Sequence, residues 1–81
     1  MSERDPRPFA VYGFATTHDA LAAEAAAKED GVPVTPIPAP RELGTLCGIA
    51  LRFELPDAPR AEAAFGLSGV AWTARAEILD V

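Results

Sequence analysis

Three observations predict an α+β domain: two alanine-rich helical stretches, four short β-branched or aromatic runs around them, and glycine or proline at the boundaries. The order is strand, helix, strand, strand, helix, strand. That order fits the ferredoxin-like split βαβ plan, an antiparallel sheet with both helices on one face.

The first strand, β1, is read over Phe9 to Phe14 (FAVYGF), which packs aromatic and β-branched residues into a strand's length. Thr16 stands three residues before Asp19 in the threonine-x-x-acid form of a capping box, so helix α1 starts near Thr17. Its body, LAAEAAAKED, is rich in strong helix formers; Gly31 supplies a left-handed stop and Pro33 cannot prolong the helix, which ends near Asp30. Val32 to Ile37 (VPVTPI) is β-branched but carries Pro33 and Pro36. Proline cannot donate to a ladder, so this strand, β2, belongs at a sheet edge. A proline-rich connection, Pro38 to Leu46, leads to Gly48 to Glu54 (GIALRFE). Here Ile49, Leu51 and Phe53 alternate with Ala50, Arg52 and Glu54, making a half-buried strand, β3. Pro56 to Pro59 opens a second helix, α2, over RAEAAFGL, and Ser68-Gly69 closes it. Val70 to Leu79 reads as the last strand, β4. Trp72, Ala74, Ala76 and Ile78 alternate with Thr73, Arg75, Glu77 and Leu79, and Thr73, Arg75 and Glu77 are expected on the helix-free face beside Ala50 and Arg52.

Residues 1–8 read as a disordered lead-in without the apolar core of a secretory signal, and residues 9–81 as a single domain. The chain has 81 residues, and although 49% are hydrophobic, alanine is the commonest of these, so its core is modest and association through the open sheet face, as a homodimer, is expected. A formal net charge of -5 with no basic stripe argues against nucleic acid and against an anionic membrane surface. No apolar run approaches the roughly 20 residues of a spanning helix. The cytoplasm is the expected compartment. One cysteine, Cys47, excludes an intramolecular disulfide and any zinc site drawing two thiolates from one chain, and no metal or cofactor is expected.

In the ferredoxin-like plan β1 and β3 lie antiparallel at the centre. The end of β1, the start of α1, the β2-β3 connection and the start of β3 then meet at one end of the sheet, making Cys47, Thr16, Thr17, His18 and Arg41 neighbours. Cys47 falls in step with Ile49, Leu51 and Phe53, so its sulfur is expected beneath the first turn of α1.

Phe14 is followed by Thr17-His18-Asp19-Ala20 and Glu24, then Gly31-Val32-Pro33-Val34, Pro38-x-Pro40-Arg41-Glu42 and Cys47-Gly48-x-Ala50-Leu51-Arg52-Phe53. In these motifs the chain resembles the small bacterial domains described as selenium/sulfur carrier-like proteins. The likeness covers about Phe9 to Phe53 well and the remainder loosely. Its most specific part couples Pro40-Arg41-Glu42 to Cys47-Gly48-x-Ala50. What it implies is a carrier of sulfane sulfur or selenium on Cys47, with donor and acceptor proteins as partners.

From the residues alone, the stronger reading of Cys47 is a small buried hydrophobe, the commonest fate of a free cysteine. Three features favour a reactive thiol: Gly48 leaves the sulfur uncrowded, Arg41 supplies positive charge, and the α1 N-terminus offers unpaired N–H groups. His18 is either a proton partner or a solvated helix-start residue. Thr16 caps the helix, and Thr17 offers a further hydroxyl and N–H beside the site. No Ser/His/Asp set, phosphate loop or carboxylate pair is present, so a self-contained enzyme is not expected. The function read from the sequence is a sulfur or selenium carrier using a Cys47 persulfide, and the alternative is a non-catalytic regulatory or small-ligand-binding module.

Overall fold

The computed structural model describes residues 5–44 and 48–80. Its elements run β1 (Arg7–Gly13), α1 (Thr17–Glu29), β2 (Thr35–Pro38), β3 (Ile49–Glu54), α2 (Ala58–Leu67) and β4 (Ala74–Asp80), with short 3-10 turns at Arg41–Leu43 and Leu55–Asp57. The four strands form one antiparallel sheet in the order β2-β3-β1-β4. This is the ferredoxin-like arrangement the element order predicts, with β2 at an edge. β1 begins two residues earlier than expected, so Arg7 and Pro8 belong to the sheet, and β2 is displaced to Thr35–Pro38.

Local chemistry explains the helix boundaries. The Asp19 N–H donates to the Thr16 hydroxyl at 3.0 Å, which satisfies one of the orphan donors of α1. At the other end Gly31 adopts φ 74°, and the N–H groups of Gly31 and Val32 reach back to the carbonyls of Lys28 and Ala27. α2 ends the same way: Gly69, at φ 73°, bonds to Gly66, and Val70 bonds to Phe65. Both helices thus close with a left-handed residue and a six-to-one bond, a conformation that costs glycine almost nothing.

The main core lies between the sheet and the helices. Tyr12, Phe14, Leu51, Phe53 and the α2 residue Phe65 supply its bulk, and Ala20, Ala23, Ala27, Ala58 and Ala61 are the small helix residues buried in it. Alanine at these positions lets the helices approach closely enough for the aromatic side chains to fill the layer. Arg60 of α2 ties the two helices by donating to the Asp30 carbonyl at 2.9 Å.

The expected facing of β4 needs correction. Arg75 stands opposite Tyr12 on the helix side, whereas Ala74, Ala76 and Ile78 pack with Val11 and Ala50 on the other face. The cause is a β-bulge. The Gly13 carbonyl accepts from the Thr73 N–H at 2.8 Å although its register partner is Ala74, so two residues of one strand oppose one of the other. Strict alternation from Trp72 therefore slips by one residue at Thr73, and β4 starts at Ala74 instead of Val70.

Nor is the helix-free face bare. Leu43 of the Arg41–Leu43 turn is buried against Val11 and Ala50, with Ala39 and Ile37 beside it. Farther along, the guanidinium of Arg52 lies 4.3 Å from the Phe9 ring centroid and bonds Asp80 at 2.8 Å, while Arg7 lies 5.4 Å from the same ring. This roof leaves Phe9 buried on a face with no helix.

Because the helix-sheet seam is built on alanine, enlarging it is expected to destabilise the domain. Ala23→Leu should lose about 1–3 kcal/mol of stability through overpacking. Ala25→Leu, on the exposed side of the same helix, should change it by less than about 0.5 kcal/mol. Urea unfolding of the two variants measures the contrast.

Candidate functional site

The end of the sheet where β1 finishes is also where β3 and β4 begin and β2 ends. Gly13 pairs with Ala50 on one side and Ala74 on the other, and Pro38 pairs with Ile49. Three residues after Gly13, Thr16 caps α1, so the first turn of the helix rises from this same end. Thr16, Thr17 and His18 are all exposed there. The Thr16 hydroxyl is committed to the Asp19 N–H, which bears out its capping role.

Gly48 leads into β3 and is also exposed; its carbonyl accepts from the Ala39 N–H at 3.0 Å. A side chain built at Gly48 would meet no described atom within 4 Å. Cys47 itself lies outside the described residues, so its expected place beneath α1 does not enter the geometry.

Arg41 is exposed on the 3-10 turn whose Leu43 is seated on the helix-free face. The structure thus brings Thr16, Thr17 and His18 together in one helical turn and carries Arg41 on an element packed across the sheet from the helix layer. Glu24, from the same motif set, forms an i,i+4 ion pair with Lys28 at 3.1 Å. Among the described residues, no group of three His, Cys, Asp or Glu side chains is placed to hold a metal ion. No helix among them is long and apolar enough to cross a membrane.

The chain's residues 10–75 match the family described as "Putative Se/S carrier protein-like". The chain belongs to this family. The match includes Cys47, the whole of α1 and α2 and the first residues of β4, so it extends beyond the stretch over which the motifs are most evident. No curated protein and no solved structure shows a significant match to the chain.

Within this Se/S carrier-like domain, sequence reasoning missed the most constrained polar cluster. The Tyr12 hydroxyl donates to Glu62 Oε2 at 2.6 Å and accepts from Arg75 Nε at 3.3 Å, and Arg75 also pairs with Glu62 at 3.5 Å and Glu77 at 3.0 Å. The Tyr12 ring packs edge-on against Phe53, Phe65 and Trp72, with centroids 5.5–5.6 Å apart. Only the bulge at Thr73 brings Arg75 to this side, and no spacing in the sequence announces it.

Burial, followed by the hydrogen bond to Glu62, pushes the Tyr12 phenol up to about 12 from its ordinary 10, while Arg75 pulls the other way. The folded state thus favours the neutral phenol. This contribution to stability is complete below pH of about 10 and disappears as pH rises from there through about 12. Tyr12 is the only tyrosine, so tyrosinate absorbance reports it without ambiguity. The midpoint should lie near 12 in the native protein and return to about 10 in denaturant. Glu62→Gln should lower the native midpoint and Arg75→Ala should raise it. A native midpoint equal to the denatured one would show that the phenol is not held as described.

Proposed function

We propose that this domain is a sulfur or selenium carrier, with Cys47 as the carrying residue and proteins as donor and acceptor. Membership of the Se/S carrier-like family over residues 10–75 carries the reading. The composition supports it, because Cys47 is the only cysteine in the chain and so the only thiol on which a sulfane atom could ride. The exposed Gly48 that follows it, and the exposed first turn of α1 at the same end of the sheet, are consistent with exchange between proteins.

In this reading the Cys47 thiolate attacks the outer sulfur of a donor persulfide. A new S–S bond forms on Cys47 as the donor's S–S bond breaks, and the donor leaves as its thiolate. An acceptor thiolate then attacks the outer sulfur on Cys47, takes it as a persulfide and restores the Cys47 thiolate. Each step exchanges one S–S bond for another and needs no external oxidant or reductant. A selenium atom travels by the same exchange.

The experiment is intact-protein mass spectrometry after exposure to a low-molecular-weight persulfide and removal of excess reagent. The native chain should gain one sulfur atom, which a thiol reductant removes and which Cys47→Ser abolishes. A chain that gains nothing while its thiol remains titratable would overturn the carrier reading in favour of a regulatory or small-ligand-binding module.

A further inference from the structure

The two edges of the sheet are chemically unlike. In an antiparallel ladder the N–H and C=O of one residue point to the same neighbouring strand, and successive residues alternate between the two sides. The Ala39 N–H bonds the Gly48 carbonyl, so Ala39, Ile37 and Thr35 turn their backbone groups toward β3. Pro36 and Pro38 therefore occupy the outward-facing positions of β2, where neither has an N–H to offer. This edge is closed to further pairing.

The opposite edge lacks that protection. The Gly13 carbonyl points at β4, since it accepts from Thr73, so alternation directs the backbone of Ala74, Ala76, Ile78 and Asp80 inward to β1. The N–H and C=O groups of Arg75, Glu77 and Leu79 then face outward. β4 is seven residues long, contains no proline and ends the sheet, with no described segment continuing it. A bare edge of this length is a template for another strand.

We propose that the occupant is a second copy of this chain, paired antiparallel through β4 about a twofold axis at Ala76. Parity and charge together select this register. Outward-facing residues must meet outward-facing residues, which restricts the twofold to residue positions and excludes the gaps between them. An axis at Arg75 or Glu77 sets two like charges directly opposite each other. An axis at Ala76 instead sets Arg75 opposite the partner's Glu77 and Glu77 opposite the partner's Arg75. Both are hydrogen-bonded pairs, and both place opposite charges side by side. On the helix-free face the same register opposes Ala74 to Ile78 and Ala76 to its own copy. The apolar cluster in which half-buried Ala76 and Ile78 pack against the buried Val11 and Ala50 then runs unbroken from one protomer to the next. Pairing joins two four-stranded sheets into one and leaves only the proline-bearing edges outside.

Sedimentation of the native chain over a wide concentration range tests the pairing. A reversible dimer is expected, and Glu77→Arg, which sets like charges opposite each other twice, should weaken it by roughly tenfold or more. Cross-linking tests the register. In a Cys47→Ser background, Ala76→Cys should oxidise to a covalent dimer, because the central pair lies about 4.5 Å apart between Cα atoms, within disulfide range. Ala74→Cys should not, since the two copies would stand about 13 Å apart along the strands. A chain that remains monomeric at millimolar concentration would overturn the proposal. So would a dimer that Glu77→Arg does not weaken and Ala76→Cys does not lock.

Discussion

The Tyr12 side chain connects more of this molecule than any other described group. It projects from a central strand, its ring meets Phe53 of β3, Phe65 of α2 and Trp72 before β4, and its hydroxyl joins Glu62 of α2 to Arg75 of β4. In a chain this short, whose helices reach the core chiefly through alanine, the aromatic group must provide both volume and fixed geometry. The hydroxyl also has to be satisfied, since a buried polar atom without a partner costs about 1–3 kcal/mol. Glu62 and Arg75 meet that need and, in doing so, hold an edge strand and a helix at one distance from each other. Together with the buried Ala58, Ala61 and Phe65, this contact set holds α2 over the sheet.

Such a rigid centre suits a domain whose proposed chemistry lies at an end of the sheet. The first turn of α1, Gly48 and the Arg41–Leu43 turn are all solvent-facing to some degree, and they meet strands whose pairing is anchored farther in. A carrier has to present its cargo to two different proteins in turn, so the cargo-bearing segment gains from accessibility and the scaffold beneath it from constancy. The division between Tyr12 with its neighbours and the exposed sheet end matches that requirement.

The sequence made the architecture legible because its punctuation is strong. Thr16 with Asp19, Gly31, Gly69 and the prolines of β2 each act through local backbone chemistry, and each marks a boundary or an edge found in the structure. The alternation of Ile49, Leu51 and Phe53 likewise identifies the helix side of β3, since Leu51 and Phe53 are core residues and Ile49 packs against them. The facing of β4 was hidden. Its alternation of alanine with charged residues reads as apolar inward and polar outward, but a bulge depends on how two strands meet, and no local propensity encodes it. For the same reason the Tyr12, Glu62 and Arg75 cluster was missed, as its members lie far apart in the chain. The candidate site was legible as residue types around a lone cysteine, and the structure adds the shared exposure of Thr16, Thr17 and His18 and the seating of Arg41's turn on the other face.

The bulge at Thr73 has effects on both faces of the sheet and on its edge. By slipping the alternation one residue, it delivers Arg75 to the Tyr12 hydroxyl on the helix side. The same slip turns Ala74, Ala76 and Ile78 to the helix-free side, where small side chains leave room for Leu43 to settle against Val11 and Ala50. With the opposite parity, Arg75 and Glu77 would face that shallow apolar cluster, and the Tyr12 hydroxyl would lose its basic partner inside the aromatic group. The slip also sets which backbone groups of β4 look outward, and those belong to the two residues of opposite charge. One extra residue between Trp72 and Ala74 thereby couples the interior polar cluster, the cover of the second face and the chemistry of the free edge. A change that removes the bulge should disturb all three together.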